Sequence, residues 1–233
     1  MKLAIMQPYF FPYLGYWQLI HAVDKFIVYD NIQYTKKGWI NRNYFLRNSE
    51  KVLFSIPLKK DSDFLNVVDR KISDDFNKEK LLNQLQEVYK NAPFFYQIFP
   101  IICDIVRYEQ DNLFDFIFYS IKKICEVLNI KTKLVVSSHL QIDHTLKSEE
   151  KVIALCKYEK ADIYINAIGG QTLYDSKTFN DAGIELQFIE MKPLSYPQKS
   201  TEFVSYLSII DVLMNVGVEG VKEHLNAFEL KTN

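Results

Sequence analysis

The order of elements between Leu3 and Asp30 constrains the fold more than any other feature of the sequence. Leu3 to Met6 is a short apolar run that reads as a buried strand. It breaks at Gln7-Pro8, because proline has no amide proton to give a sheet. A loop rich in proline and aromatic residues follows. After Gly15 the spacing of Trp17, Leu19, Ile20 and Val23 suits an amphipathic helix. Phe26 to Tyr29, ending on Asp30, reads as the next strand. The result is a strand–loop–helix–strand unit, the building block of a parallel sheet.

The same rhythm returns in the second half. Thr132 to Ser137 is β-branched and reads as a strand. Ser148, followed by Glu149, Glu150 and Val152, has the look of a helix start, and that helix should run to about Lys160. Asp162 to Ala167 is a further strand, ended by Gly169-Gly170. A short helix is expected over Ser176 to Asp181, stopped by Gly183, and then a strand over Glu185 to Met191. Ser200 opens the last helical region, with Leu207, Ile210, Leu213 and Met214 apolar, and a final helix closes the chain.

Between these halves, Lys51 to Leu58 alternates as a strand closed by Pro57, and Val67 to Ile72 reads as a short edge strand. Residues 75–130 carry three apolar helical patterns and no strand pattern. The expected fold is α/β: a largely parallel, doubly wound sheet with a helical insertion or cap and C-terminal helices. Residues 1–233 form one domain in this reading, with 75–130 as an insertion, since no flexible linker borders that block.

Composition narrows the function classes. The net charge of −1 favours neither nucleic acid nor an anionic lipid surface as partner. No run reaches 18 consecutive apolar residues, so no membrane span is expected. The first strand leads straight into a proline-broken, tyrosine-rich segment, so no signal peptide is expected. Cys103, Cys125 and Cys156 stand singly and odd in number, the pattern of reduced thiols in a cytoplasmic protein. Aromatic residues make up 15% of the chain, and most fill a core. The surplus in the first loop offers rings for stacking and hydroxyls for orienting a ligand.

Ligands of an open parallel sheet bind at the carboxyl ends of its strands, and four polar clusters fall there. The first, Gln7 to Tyr16, contributes Gln7, Tyr9, Tyr13, Gly15 and Tyr16 as candidate binding residues. The second, Asp30 to Arg42, contributes Asp30, Trp39 for stacking, Asn41, and Arg42 as an anion clamp. The third, Ser137 to His144, holds His139 and His144 as candidate proton-transfer residues. No diagnostic ligand spacing accompanies them, so no metal is expected. The fourth, Asn166 to Asp175, supplies Gly169, Gly170, Tyr174 and Asp175. It is neither a Walker loop nor a GxGxxG turn. No Gly-x-Ser-x-Gly elbow is present, and Asp61-Ser62-Asp63 matches the letters of a glycosyltransferase metal motif only by chance.

The first βα unit, QPYFFPYLGYWQLI, is similar to the phosphate-binding turn of the nucleotidylyltransferase superfamily, which carries His-x-Gly-His before its helix. Here Tyr13 and Tyr16 take the histidine slots around Gly15. A tyrosine donates a hydrogen bond and brings no positive charge. The chain as a whole resembles the WbqC-like protein family. AIMQPYFFPYLGYWQLI, Asp24 with YDNIQYTKKGWINRN, YINAIGGQTLYD and LSIIDVLMNVG carry the resemblance. It implies a place among proteins of bacterial O-antigen and surface-polysaccharide gene clusters. A transferase that moves an acyl or aminoacyl group, for example glycyl, onto an amino sugar is the implied activity. The partner would then be a sugar or nucleotide-sugar, with ATP or another nucleotide as a cofactor. The alternative is a non-catalytic sugar- or nucleotide-binding protein on a degenerate nucleotidylyltransferase-like scaffold.

Overall fold

A computed structural model describes residues 1–232. Strands β1 (Lys2–Met6) and β2 (Lys25–Val28) flank helix α1 (Leu14–His21), as the opening of the sequence leads one to expect. A hairpin of β3 (Arg42–Arg47) and β4 (Glu50–Ser55) follows, then helices α2 (Lys78–Tyr89), α3 (Phe95–Arg107) and α4 (Leu113–Val127). The α/β rhythm resumes with β5 (Lys133–Val136), α5 (Ser148–Glu159), β6 (Ile163–Ala167), α6 (Ser176–Asp181) and β7 (Glu185–Met191). Helix α7 (Ile209–His224) and strand β8 (Phe228–Thr232) end the described chain.

The main sheet has the order β5-β2-β1-β6-β7-β8, parallel except for the antiparallel β7–β8 pair. From β1 the chain builds outward through β2 and β5, then crosses back to lay β6 and β7 on the other side of β1. The reversal in strand order therefore lies between β1 and β6. Both faces are covered: Leu3 and Ile5 of β1 enter the cluster under α5 and α6, whereas Ala4 enters the larger one under α1, α7 and the helical block. Burial on both faces explains why these strands read as unbroken apolar runs.

Residues of α2, α3 and α4, such as Leu85, Ile102 and Ile117, belong to the same buried cluster as Ala4, Phe26 and Leu213. The helix starts follow local chemistry. Asn77 accepts a hydrogen bond from Lys80 N at 2.8 Å, Asn112 from Asp115 N at 3.1 Å, and Ser208 from Ile210 N at 3.3 Å. Helix α7 is interrupted at Gly217, whose φ of 72° and ψ of −178° belong to no helix. The ring of Phe94 lies where a side chain at Gly217 would begin, and Phe94 N donates to Met214 O at 3.2 Å.

Four expectations need correction. Val67–Asp69 is a 3-10 turn, and Ile72 joins Leu58 only through a single bridge. Val67 N and Val68 N donate inward, to Ile32 O and Asp30 O, which leaves no ladder to extend. Arg42, read from sequence as the end of a polar ligand cluster, opens a strand, Arg42–Arg47, that is the partner of Glu50–Ser55. Asn48 and Ser49 turn the hairpin with φ of 51° and 63°, the left-handed pair that a two-residue hairpin turn requires. The chain closes on β8, an exposed edge strand, and not on a helix. The last helical region begins at Ile209 and not at Ser200.

Candidate active site

A cleft of about 490 Å³ opens at the carboxyl ends of β1 and β6, where the strand order reverses. Gln7, Tyr9, Tyr13, Gly15 and Tyr16 line it from the first loop, Trp39 from the second cluster, and Gly169, Gly170 and Tyr174 from the fourth. Tyr29, Asn166 and Leu173, which the sequence reading did not select, complete its walls. No charged side chain of the described residues belongs to the lining.

The loop between β1 and α1 is held from below by elements distant in sequence. Phe10 N donates to Ile40 O at 3.0 Å. Phe11 O accepts from Asn43 Nδ2 at 2.7 Å and from Ser208 Oγ at 2.9 Å. Pro12 O accepts from Trp17 Nε1 at 3.1 Å and from Ile209 N at 3.0 Å. These bonds are mostly buried, so they fix Tyr9 and Tyr13 in place before any ligand arrives. Three of the stretches that carry the family resemblance meet here, on the underside of one loop.

The tyrosines divide the work. The Tyr16 ring is buried and its hydroxyl donates to Gln7 O at 2.9 Å, so it shapes the floor of the cleft and has no proton to offer a ligand. Tyr13 precedes α1 without capping it by its side chain, and its ring meets Tyr206 at 5.8 Å, edge to face. Burial first, then the neighbouring Tyr13, pushes the Tyr9 hydroxyl up to about 12. Burial chiefly, helped by Tyr174 and Asp30, does the same to Tyr29, also to about 12. Burial raises Tyr13 and Tyr174 as well. All four stay protonated at neutral pH, which makes them hydrogen-bond donors and poor bases.

The remaining sequence candidates stand outside this lining. Asn41 is buried, accepting from Tyr34 Oη at 2.8 Å and donating to Ile56 O at 2.7 Å, and both bonds serve the fold. Arg42 folds back on its own turn, donating to Gly38 O at 2.8 Å and to Lys37 O. Asp175 caps α6, accepting from Lys177 N and Thr178 N at 3.3 Å each. Asp30, His139 and His144 follow β2 and β5, at the same carboxyl end of the sheet but toward its β5 edge. Asp30 accepts from Ser137 Oγ at 2.7 Å and Ser138 N at 2.9 Å. His139 is exposed on the 3-10 turn after β5. The His144 ring lies between Asn31 Nδ2 at 2.8 Å and Leu140 O at 2.9 Å, so both its nitrogens have partners. β5 is separated from β1 by β2, so the segment that follows it, with His139 and His144, lies outside the lining, whereas Tyr29, directly after β2, still reaches it.

Lys151 connects the two groups. Its side chain is 4% exposed, and its amine lies 5.0 Å from the centre of the Tyr29 ring, which lines the cleft. Burial lowers its basicity, while Asp30 works the other way. Asp30 keeps one carboxylate oxygen, Oδ2, buried and without a partner.

The lining does not fit the triphosphate cradle that a nucleotidylyltransferase turn would imply. Both histidine slots are tyrosines, one with its hydroxyl occupied, and no cation faces the cleft among the described residues. Among the described residues no helix is long and apolar enough to cross a membrane, and the three cysteines are free thiols.

A family model described as the WbqC-like protein family matches residues 7–223. An uncharacterised protein of Mycobacterium tuberculosis is 28% identical over 221 residues, covering 94% of this chain and 95% of its own length.

Proposed function

The chain belongs to the WbqC-like protein family, and on that premise we propose that the cleft between β1 and β6 is a sugar site. In this reading the protein is a cytoplasmic transferase that adds an acyl or aminoacyl group to a nucleotide-activated or lipid-linked amino sugar, within surface-polysaccharide biosynthesis. One observation carries the reading: the lining is aromatic and rich in hydroxyl donors, yet uncharged. A sugar offers the matching surface, apolar C–H faces for rings such as Trp39 and hydroxyls for Tyr9, Tyr13, Gln7 and Asn166. Trp39, 44% exposed, would stack on it from a ring that meets Tyr44 edge to face and has the Arg42 guanidinium 5.8 Å from its centre.

Amide formation requires a group that takes a proton from the attacking amine. His139 and His144 do not belong to the lining, and its tyrosines hold their protons. Lys151 also stands outside the lining, but its amine lies 5.0 Å from the centre of the Tyr29 ring that lines the cleft, and burial lowers its basicity; on that contact we assign it the acceptor role. A second reading, a binding protein without catalysis, is favoured by the absence of any carboxylate, imidazole, amine or thiol from the described lining.

Saturation-transfer NMR with a panel of nucleotide-linked amino sugars tests the site. Binding that Trp39→Ala abolishes is expected, and a panel without a binder overturns it. Mass spectrometry of the bound amino sugar, incubated with acyl- and aminoacyl-donors, separates the two readings. A mass gain lost in Lys151→Met, with binding retained, supports transfer. Binding with no mass gain under any donor supports the non-catalytic reading.

A further inference from the structure

We infer that the ligand has two parts, a neutral sugar ring in the cleft and an anionic group held by Lys51 in an adjoining trough. The inference rests on the sugar reading of the cleft and extends it to the class of sugar. The trough, about 390 Å³, lies on the hairpin side and shares Tyr9, Tyr13 and Trp39 with the cleft. Its other walls are Pro12, Asn43, Tyr44, Lys51 and Tyr206. Three side chains thus form a partition with a hollow on each side, and one ligand crossing it touches both.

The two hollows differ in charge. The cleft has no charged side chain among the described residues, whereas the trough has Lys51. Lys51 stands on β4 with its ammonium 6.0 Å from the centre of the Tyr44 ring, and no carboxylate among the described residues pairs with it. Three neighbouring cations are engaged. Lys36 pairs with Asp63 at 2.6 Å, Arg47 with Glu87 at 3.1 Å, and Arg42 is tied to the carbonyls of Lys37 and Gly38. Asn43, the amide side chain of the trough, is tied to Phe11 O and Tyr44 N. Lys51 is therefore the charged side chain of the trough, in contact with the Tyr44 ring and paired with no carboxylate among the described residues.

Tyr206 supports the same assignment. It is a non-glycine residue at φ 58°, 63% exposed, and its ring stands edge to face against Tyr13. A side chain held in this conformation and still exposed points to a role beyond packing. A single cation matches one anionic group, such as a phosphate ester or a carboxylate attached to the sugar.

Calorimetric titration with amino-sugar probes in three forms tests this: methyl glycosides, 1-phosphates, and disaccharides carrying a uronic acid at the reducing side. The anionic forms should bind roughly tenfold tighter than the neutral form, the scale of one charge-assisted hydrogen bond. That advantage should vanish in Lys51→Met and persist in Lys51→Arg, with the methyl glycoside bound equally by all three proteins. Preference for the phosphate or for the uronide identifies the source of the charge. Equal affinity for neutral and anionic forms, or an advantage that survives Lys51→Met, overturns the inference and leaves the sugar site standing. Failure of every probe to bind overturns the sugar site itself, and this inference with it.

Discussion

The ring of Tyr13 occupies the space in which a side chain at Gly15 would begin: a Cβ built there meets Tyr13 Cε2 at 2.5 Å. The glycine is what lets the tyrosine fold back over the first turn of α1, and this places the ring between the cleft and the trough. Gly15→Ala should therefore displace the ring and leave the helix intact. Thermal unfolding should move little, because alanine is the better helix former by up to about 1 kcal/mol. Affinity for a sugar ligand should fall as far as it does in Tyr13→Ala. Titration of the double variant checks the mechanism, since Gly15→Ala should have no further effect once the ring is gone.

Asp211 ties three elements together. It accepts from Tyr89 on α2 at 2.7 Å and from Tyr196 in the segment after β7 at 2.8 Å. Its carboxyl is buried, and burial raises its pKa against the pull of these donors. Asp211→Ala orphans two buried phenols and should cost on the order of 3 kcal/mol in chemical denaturation. Asp211→Asn, which keeps an acceptor, should cost less than half of that.

At Gly217 the strain is in the backbone. A residue with a side chain at φ 72° and ψ −178° is disfavoured by about 1–3 kcal/mol wherever it sits. Gly217→Ala should destabilise by that amount, and more while Phe94 fills the adjacent space. Truncating the ring in Phe94→Ala should relieve the collision and not the backbone cost. The double variant should therefore remain below Phe94→Ala in thermal stability.

Alkaline pH should weaken the fold. Burial pushes Cys125 and Cys156 from 9.0 to about 12, and Tyr9 and Tyr29 from 10.0 to about 12. Between those limits the unfolded chain loses these protons and the folded chain keeps them, so stability falls as pH rises. Lys151 has the opposite sign, since its lowered basicity makes the unfolded chain the stronger proton binder below 10.5. Denaturant midpoints followed upward from neutral pH should fall beyond pH 9. Lys151→Met should remove a rising contribution at lower pH.

We propose that residues 75–130 fold with the rest of the chain as one unit, because α2, α3 and α4 share their buried cluster with the sheet. Tryptophan fluorescence reports Trp17 and Trp39, both outside that block. Their transition should coincide with that of circular dichroism, which is dominated by helices. Two separated transitions would make the block an independent domain.

Much of the sheet was legible because its signals are local. Helix α6 and strand β7 lie where the spacing of polar and apolar residues puts them, Ser176–Asp181 and Glu185–Met191. The misses share a cause. β8 is exposed along most of its length, so it carries no alternating apolar face. β3 opens with arginine and asparagine, whose side chains serve the neighbouring loops, and its polar look concealed a strand. In the cleft, Gln7, Tyr9, Tyr13 and Gly15 announced themselves as an aromatic surplus in one turn. Tyr29, Tyr44, Lys51, Asn166 and Tyr206 did not, because each comes from a different segment and looks ordinary there. The Asn48-Ser49 turn was the one local sign that would have joined Tyr44 and Lys51 to a hairpin.

The sequence alone determined that four polar loops follow four strands, and that the first is an aromatic turn with a glycine in the first turn of its helix. It did not determine which loops would share a cleft. Strands buried on both faces carry nearly equivalent apolar runs, so their order is set by how helices and distant strands pack. That packing put β6 beside β1, gathered Tyr174 and the paired glycines against Tyr9 and Tyr13, and left both histidines outside the cleft lining.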